Sequence, residues 1–232
     1  MGLQRSKGHQ LTQARQRIRL LRRAGDIILI DWDDLEYRLR HGARTASIMT
    51  DYKHILESIT RDARYQRNLD WGKARPGHPE GTVRAHIAEL ERNLDALRHK
   101  LSEIDYWRLR VLIHTHDTFK GEAQPGAPIT AANSHASLAR AFLANFCNDT
   151  DMLAMVQYHD VPFALWRQST FRGKINQERL TTLLANIGDW NLFLAFTIVD
   201  GCTEGKDRDK LRWFFRQIAG KVESTFTEAD IL

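Results

Sequence analysis

Val83, Ile87, Leu90, Leu94, Leu97 and Leu101 recur at steps of four, three, four, three and four. That period places all six on one face of a helix and obliges the face to pack against something apolar. Thr82, just ahead of the stripe, supplies the side-chain oxygen of a helix cap. Strand-like alternation is almost absent. The run Ile27-Ile28-Leu29-Ile30 looks β-like, but it is too short to tell from buried helix by pattern. Helical periods elsewhere predict helices over 45–66 and 104–118, with later starts near Ser134, Asp149, Asn176, Asp189 and Asp207. The segments 71–81 (WGKARPGHPEG) and 120–133 (KGEAQPGAPITAAN) read as loops from their glycines and prolines. No repeat or linker stands out. The expected architecture is all-α: one helical domain over 71–232, preceded by a helical N-terminal extension over 1–70.

A chain of 232 residues, 42% hydrophobic and 27% charged, has room for one generous globular domain but not two large ones. No apolar run approaches the roughly 18 residues that a bilayer span needs. The opening residues lack an apolar signal core, and two cysteines, Cys147 and Cys202, make no disulfide framework, so a cytoplasmic location is expected. Net charge is +5, but residues 1–25 hold seven bases and no acid, which leaves −2 for the rest. A broad phosphate-binding face on the body is therefore not implied. Within the basic arm, Leu11, Ala14, Ile18 and Leu21 share a helical face with arginines around them. The arm reads either as a helix docked on the domain or as a contact for a partner protein, a nucleic acid or an anionic surface.

The most informative residues are ionisable ones at core positions of the stripes. His86 lies three after Val83 and four before Leu90. His116 continues the spacing of Leu109, Leu112 and Ile113, and Asp117 is four beyond Ile113. His135 precedes Leu138 and Phe142, His159 follows Met152, Met155 and Val156, and Asp200 follows Phe193 and Phe196 at the same spacings. Burying one neutral polar group without a partner costs roughly 2–7 kcal/mol, and a carboxylate costs more. One such histidine is ordinarily hydrogen-bonded core; six such residues ask for a common cause. A divalent metal is one, since it takes neutral imidazole nitrogens and carboxylate oxygens and offsets the charge of Asp117 and Asp200. Four imidazoles and two carboxylates suit one or two ions of Fe, Mn, Co, Ni or Zn, and without a thiolate ligand a structural zinc site is not expected. His99 falls off its stripe and should be solvated, and His9, His41 and His54 carry no such argument. Asp160 also falls off the stripe. His78 and Glu80 either line the mouth of a site or decorate a loop, and Cys202 reads as packing.

The ordered set His86, His116-Asp117, His135, His159 and Asp200 resembles the HD superfamily of metal-dependent phosphohydrolases, through the pair in VLIHTHDTFKGE. The stretch GHPEGTVRAH (77–86) is similar to the opening of the HD domain of CCA-adding enzymes, although 76 upstream residues leave no room for their nucleotidyltransferase domain. The likeness spans about residues 77–205 and implies an HD-type helical domain. Members with all six ligands carry two metals. The resemblance then implies that Asp117 bridges them, that His86, His116 and Asp200 complete one site, and that His135 and His159 complete the other. Two features depart from the pattern. Phe119 stands where a glycine usually precedes the lysine, and Val-Asp-Gly-Cys ends the last motif in place of Ala-Asp followed by a base.

The resemblance implies hydrolysis of a phosphoester or phosphoanhydride, in a nucleotide or small phosphorylated metabolite, by a metal-activated hydroxide. Asp117 and Lys120 are the catalytic candidates, Lys120 matching the motif's lysine as a phosphate contact. Arg172 and Lys174 are weaker substrate-binding candidates in the loop-like FRGK. Two alternatives share the scaffold: a di-iron oxygenase similar in ligand order to inositol oxygenase, acting on a small polyol or phosphonate-like substrate, and a non-catalytic nucleotide-sensing module.

Overall fold

The computed structural model describes residues 51–232 together with two short strands, β1 (Leu20–Arg23) and β2 (Asp26–Leu29). The strands pair antiparallel, Leu20 opposite Leu29 and Arg23 opposite Asp26, with only Ala24 and Gly25 between them. At these eight residues the structure differs from the helical reading. Leu21 and Ile27–Leu29 lie on strands, because a two-residue connection ending in glycine lets Leu20-Leu21 pair with the β-branched Ile27-Ile28. Leu11, Ala14, Ile18 and most of the basic arm lie outside the described residues.

Residues 51–232 form one compact helical unit. Its helices are α1 (Tyr52–Arg61), α2 (Ala63–Asn68), α3 (Val83–Leu97), α4 (Glu103–Thr115), α5 (His135–Leu143), α6 (Thr150–Tyr158), α7 (Val161–Arg172), α8 (Gln177–Asn186), α9 (Trp190–Gly201) and α10 (Arg208–Ile218). Residues 51–70, read from the sequence with the extension, pack inside this unit: α1 buries Ile55, Leu56 and Ile59 and lies against α4. The caps are those the sequence named. Side-chain oxygens of Thr82, Ser134, Asp149, Asn176, Asp189 and Asp207 each accept from a first-turn backbone N–H. The helix α7 was not foreseen. Pro162 in its first turn and Gly173 at its end, in the left-handed region at φ 67°, delimit it, so the Phe171-Arg172 of FRGK belong to its last turn.

Helix α4 is central, packing on α1, α3, α5, α6 and α9. Its Leu109, Val111, Leu112 and Ile113 are fully buried, as are Phe193, Ala195, Ile198 and Val199 of α9. Arg108 ties the bundle together: its guanidinium reaches Asp189 at 2.6 Å and Asp149 at 3.5 Å, and Asp149 accepts from the Tyr52 hydroxyl at 2.6 Å. Among the described residues no single helix is long and apolar enough to cross a membrane.

Candidate metal centre

The six stripe residues meet where several helices end. His86 sits in the first turn of α3, His116 caps the C-terminus of α4 with Asp117 beyond it, His135 opens α5, His159 caps the C-terminus of α6, and Asp200 lies near the end of α9. His86, His116, Asp117 and His159 are buried, and His135 and Asp200 are half-buried. The geometry groups them around Asp117. Its Oδ2 is 3.5 Å from His116 Nε2 and 3.8 Å from His86 Nε2. Its Oδ1 is 3.3 Å from His159 Nε2 and 3.9 Å from His135 Nε2. Asp200 Oδ1 adds contacts of 3.2 Å to His86 Nε2 and 3.8 Å to His116 Nε2. Two sets of ligand atoms thus lie close enough to hold metal ions, His86 with His116 and Asp117, and Asp117 with His135 and His159.

The far sides of the rings explain why Nε2 faces inward. His116 Nδ1 lies 3.1 Å from the carbonyls of Leu112 and Ile113, and His159 Nδ1 lies 2.8 Å from that of Val156. An Nδ1–H donated to a carbonyl puts the lone pair on Nε2, the arrangement metal-binding histidines use. Behind His86 stands a carboxylate within ion-pair range: Glu80 Oε1 is 3.0 Å from His86 Nδ1 and also 3.0 Å from His78 Nδ1. The loop 71–81 puts Glu80 there. It closes through bridges Gly72–Thr82 and Arg75–His78, and a Cβ on Gly72, at φ 115°, would sit 2.3 Å from the Gly81 carbonyl oxygen.

The donors fit a cation. His116 Nε2 and Asp117 Oδ1 are buried without a hydrogen-bond partner, which is costly unless a positive charge stands between such groups. The field agrees. Burial lowers His86, but Asp200, Glu80 and Asp117 outweigh it and push it up to about 9; at His159 burial is outweighed by Asp160 and Asp117, again to about 9. At His116 burial wins and its pKa falls, which keeps its ring neutral. Burial alone would raise Asp117 and Asp200, yet Lys120 with His116, and Lys206 with His86, hold both well below the ordinary carboxylate range. Lys120 Nζ is hydrogen-bonded to Asp117 Oδ2, and Lys206 Nζ reaches Asp200 Oδ1 at 2.8 Å.

A cavity of about 430 Å³ opens on the cluster, lined by Asp117, Lys120, His159, Asp160, Asp200 and Lys206, with Phe163, Lys210 and Phe214 among its other walls. Arg172 and Lys174 are exposed at the end of α7 and do not line the cavity. His78 does line it; His54 and His99 are exposed and Cys202 is buried. Phe119 is fully buried, with its ring 4.7 Å from that of Phe142 and 4.5 Å below the Arg64 guanidinium; its bulk enters the core, not the cavity. Sequence reasoning missed Glu80 as a partner of His86, Lys206 and Asp160, because all three sit on loops or turns where helical spacing says nothing about direction. Comparison of the chain with family models, with curated proteins and with solved structures finds no match.

Proposed function

We propose that this chain is a metal-dependent phosphohydrolase of the HD type, acting on a nucleotide or other small phosphorylated metabolite. One observation carries the reading: the two carboxylate oxygens of Asp117 face two separate histidine pairs, His86–His116 and His135–His159. A carboxylate so placed is suited to bridge two divalent ions, held on one side by His86, His116 and Asp200 and on the other by His135 and His159. Bound there, such ions would supply Lewis-acid activation of water and neutralise phosphoryl charge.

The chain's own residues favour an anionic substrate over a neutral one. Lys120 and Lys206 each contact a candidate ligand carboxylate and line the cavity, where phosphoryl oxygens would meet them. Lys210 also lines it. Its ammonium stands 4.8 Å over the Trp166 ring and 5.3 Å over that of Phe163, and has no carboxylate within ion-pair range among the described residues. Lys206 and Lys210 take the substrate role that the sequence suggested for Arg172 and Lys174. A volume of about 430 Å³ is in the range of small-molecule sites.

The test is elemental analysis of protein purified without chelator, paired with a screen of phosphomonoesters, phosphodiesters and nucleotides. Phosphate or nucleotide release with two bound ions supports the proposal. Oxygen consumption with Fe(II) and no phosphate release would assign the scaffold to the oxygenases, and tight nucleotide binding without turnover would make it a sensor.

A further inference from the structure

The two halves of the centre match more closely than the six ligands require, through a seventh residue. Asp160 Oδ2 lies 3.1 Å from His135 Nε2, and its Oδ1 lies 3.8 Å from His159 Nε2. Asp200 Oδ1 makes the same pair of contacts in the other half, 3.2 Å to His86 Nε2 and 3.8 Å to His116 Nε2. The distances to the shared Asp117 repeat as well: 3.8 and 3.5 Å on the Oδ2 side, 3.9 and 3.3 Å on the Oδ1 side. Each half therefore consists of two imidazoles, one oxygen of Asp117 and one carboxylate of its own.

We infer that Asp160 is a metal ligand of the second half, the counterpart of Asp200. This rests on the two-ion reading above and adds a donor to it. Asp160 makes no other polar side-chain contact among the described residues. It lies two residues past Tyr158, the last residue of α6, and directly precedes α7, yet its side chain caps no backbone N–H there. The two groups its carboxylate faces are imidazoles whose Nε2 atoms stand 3.3 Å from each other. His159 gives its Nδ1 side to the Val156 carbonyl, so its Nε2 faces Asp160 and the unpartnered Asp117 Oδ1. Two imidazoles and two carboxylates converging on one point form a donor set and a negative field that a divalent cation fits. With Asp160 the second half offers four donors, two N and two O, a set suited to a divalent transition ion such as Zn, Mn or Fe. Without it that half is one carboxylate short of the first.

The experiment is titration of chelator-treated full-length protein with Mn(II), read by calorimetry and by the paramagnetic resonance signal of coupled ion pairs. Wild type should take up two ions. Asp160→Asn, close in shape and removing no cap, should keep one ion at wild-type affinity and bind the second at least ~10–100-fold more weakly, with loss of the coupled signal. A cooperative thermal melt without metal checks that the variant is folded. Two ions bound to Asp160→Asn at wild-type affinities would overturn the inference while leaving the two-ion centre standing. Fewer than two ions in wild type would overturn both the centre and the place given to Asp160 in it. His135→Ala serves as the positive control for losing the second ion.

Discussion

Glu80 Oε1 stands 3.0 Å from Nδ1 of His86, on the side of the ring turned away from Asp117 and Asp200. Burial raises the Glu80 carboxyl, but its contacts with His86 and His78 more than offset that and bring it down to about 2. It is therefore ionised near neutrality, and a carboxylate behind a ligand imidazole fixes the ring and makes Nε2 more basic. Glu80→Gln should weaken ion binding in the first half ~10–100-fold while leaving the second unchanged. Metal titration of the variant checks this, and equal affinities for both ions would remove Glu80 from the centre.

Asp117→Ala should abolish binding of both ions and all turnover, because one of its oxygens faces each histidine pair. Elemental analysis after dialysis reads the result directly. Full occupancy with normal turnover would contradict the bridging role.

His159→Ala should lower the metal content to one ion per chain, since the His159 ring contacts only the Oδ1 side of Asp117. An unchanged stoichiometry would argue against a dinuclear centre.

Phe119→Ala should destabilise the fold by about 3–5 kcal/mol, the usual cost of emptying a fully buried aromatic site. Urea unfolding measures it. A loss below about 1 kcal/mol would mean the ring is not packed as described.

Acid should loosen the Tyr52–Asp149–Arg108 tie. Burial raises Asp149, but the Tyr52 hydroxyl, the cap N–H groups and Arg108 outweigh it, so its folded pKa lies below the ordinary 3.8. A depressed folded pKa means the stabilisation is complete above 3.8 and fades as pH falls through the lower folded value. Asp149→Asn keeps a capping residue but should flatten this part of the stability profile, followed by thermal melts from neutral pH downward.

Much of the helical body was legible because one physical rule dictates it. Stripes bounded by Thr82, Ser134, Asp149, Asn176, Asp189 and Asp207 bury their apolar face and start where a side chain can cap. The same rule brought His86, His116, Asp117, His135, His159 and Asp200 to notice, since it fixes where a helical side chain points. It gives no such direction outside helices. Asp160 follows the last turn of α6, so its distance from the stripe of Met152, Met155 and Val156 did not decide where its carboxylate goes. Glu80 and Lys206 reach the centre from loops whose paths depend on glycine backbone angles and long-range contacts. The helix α7 was hidden because its buried residues, Val161, Pro162 and Leu165, are too few to make a stripe. The hairpin at Leu20–Leu29 rests on four paired residues in each strand, fewer than periodicity can resolve.

The ammonium groups of Lys120 and Lys206, seated on Asp117 and Asp200, bear on how the centre fills. Acidic side chains crowded into a protein interior repel one another, and here tethered positive charges already quiet two of them. The polypeptide can therefore reach its native shape before any ion arrives. Loading would then be an exchange in which an incoming ion displaces a lysine from its carboxylate. A monovalent ion would bring no more charge than the side chain it evicts, so the two lysines would favour ions of higher valence.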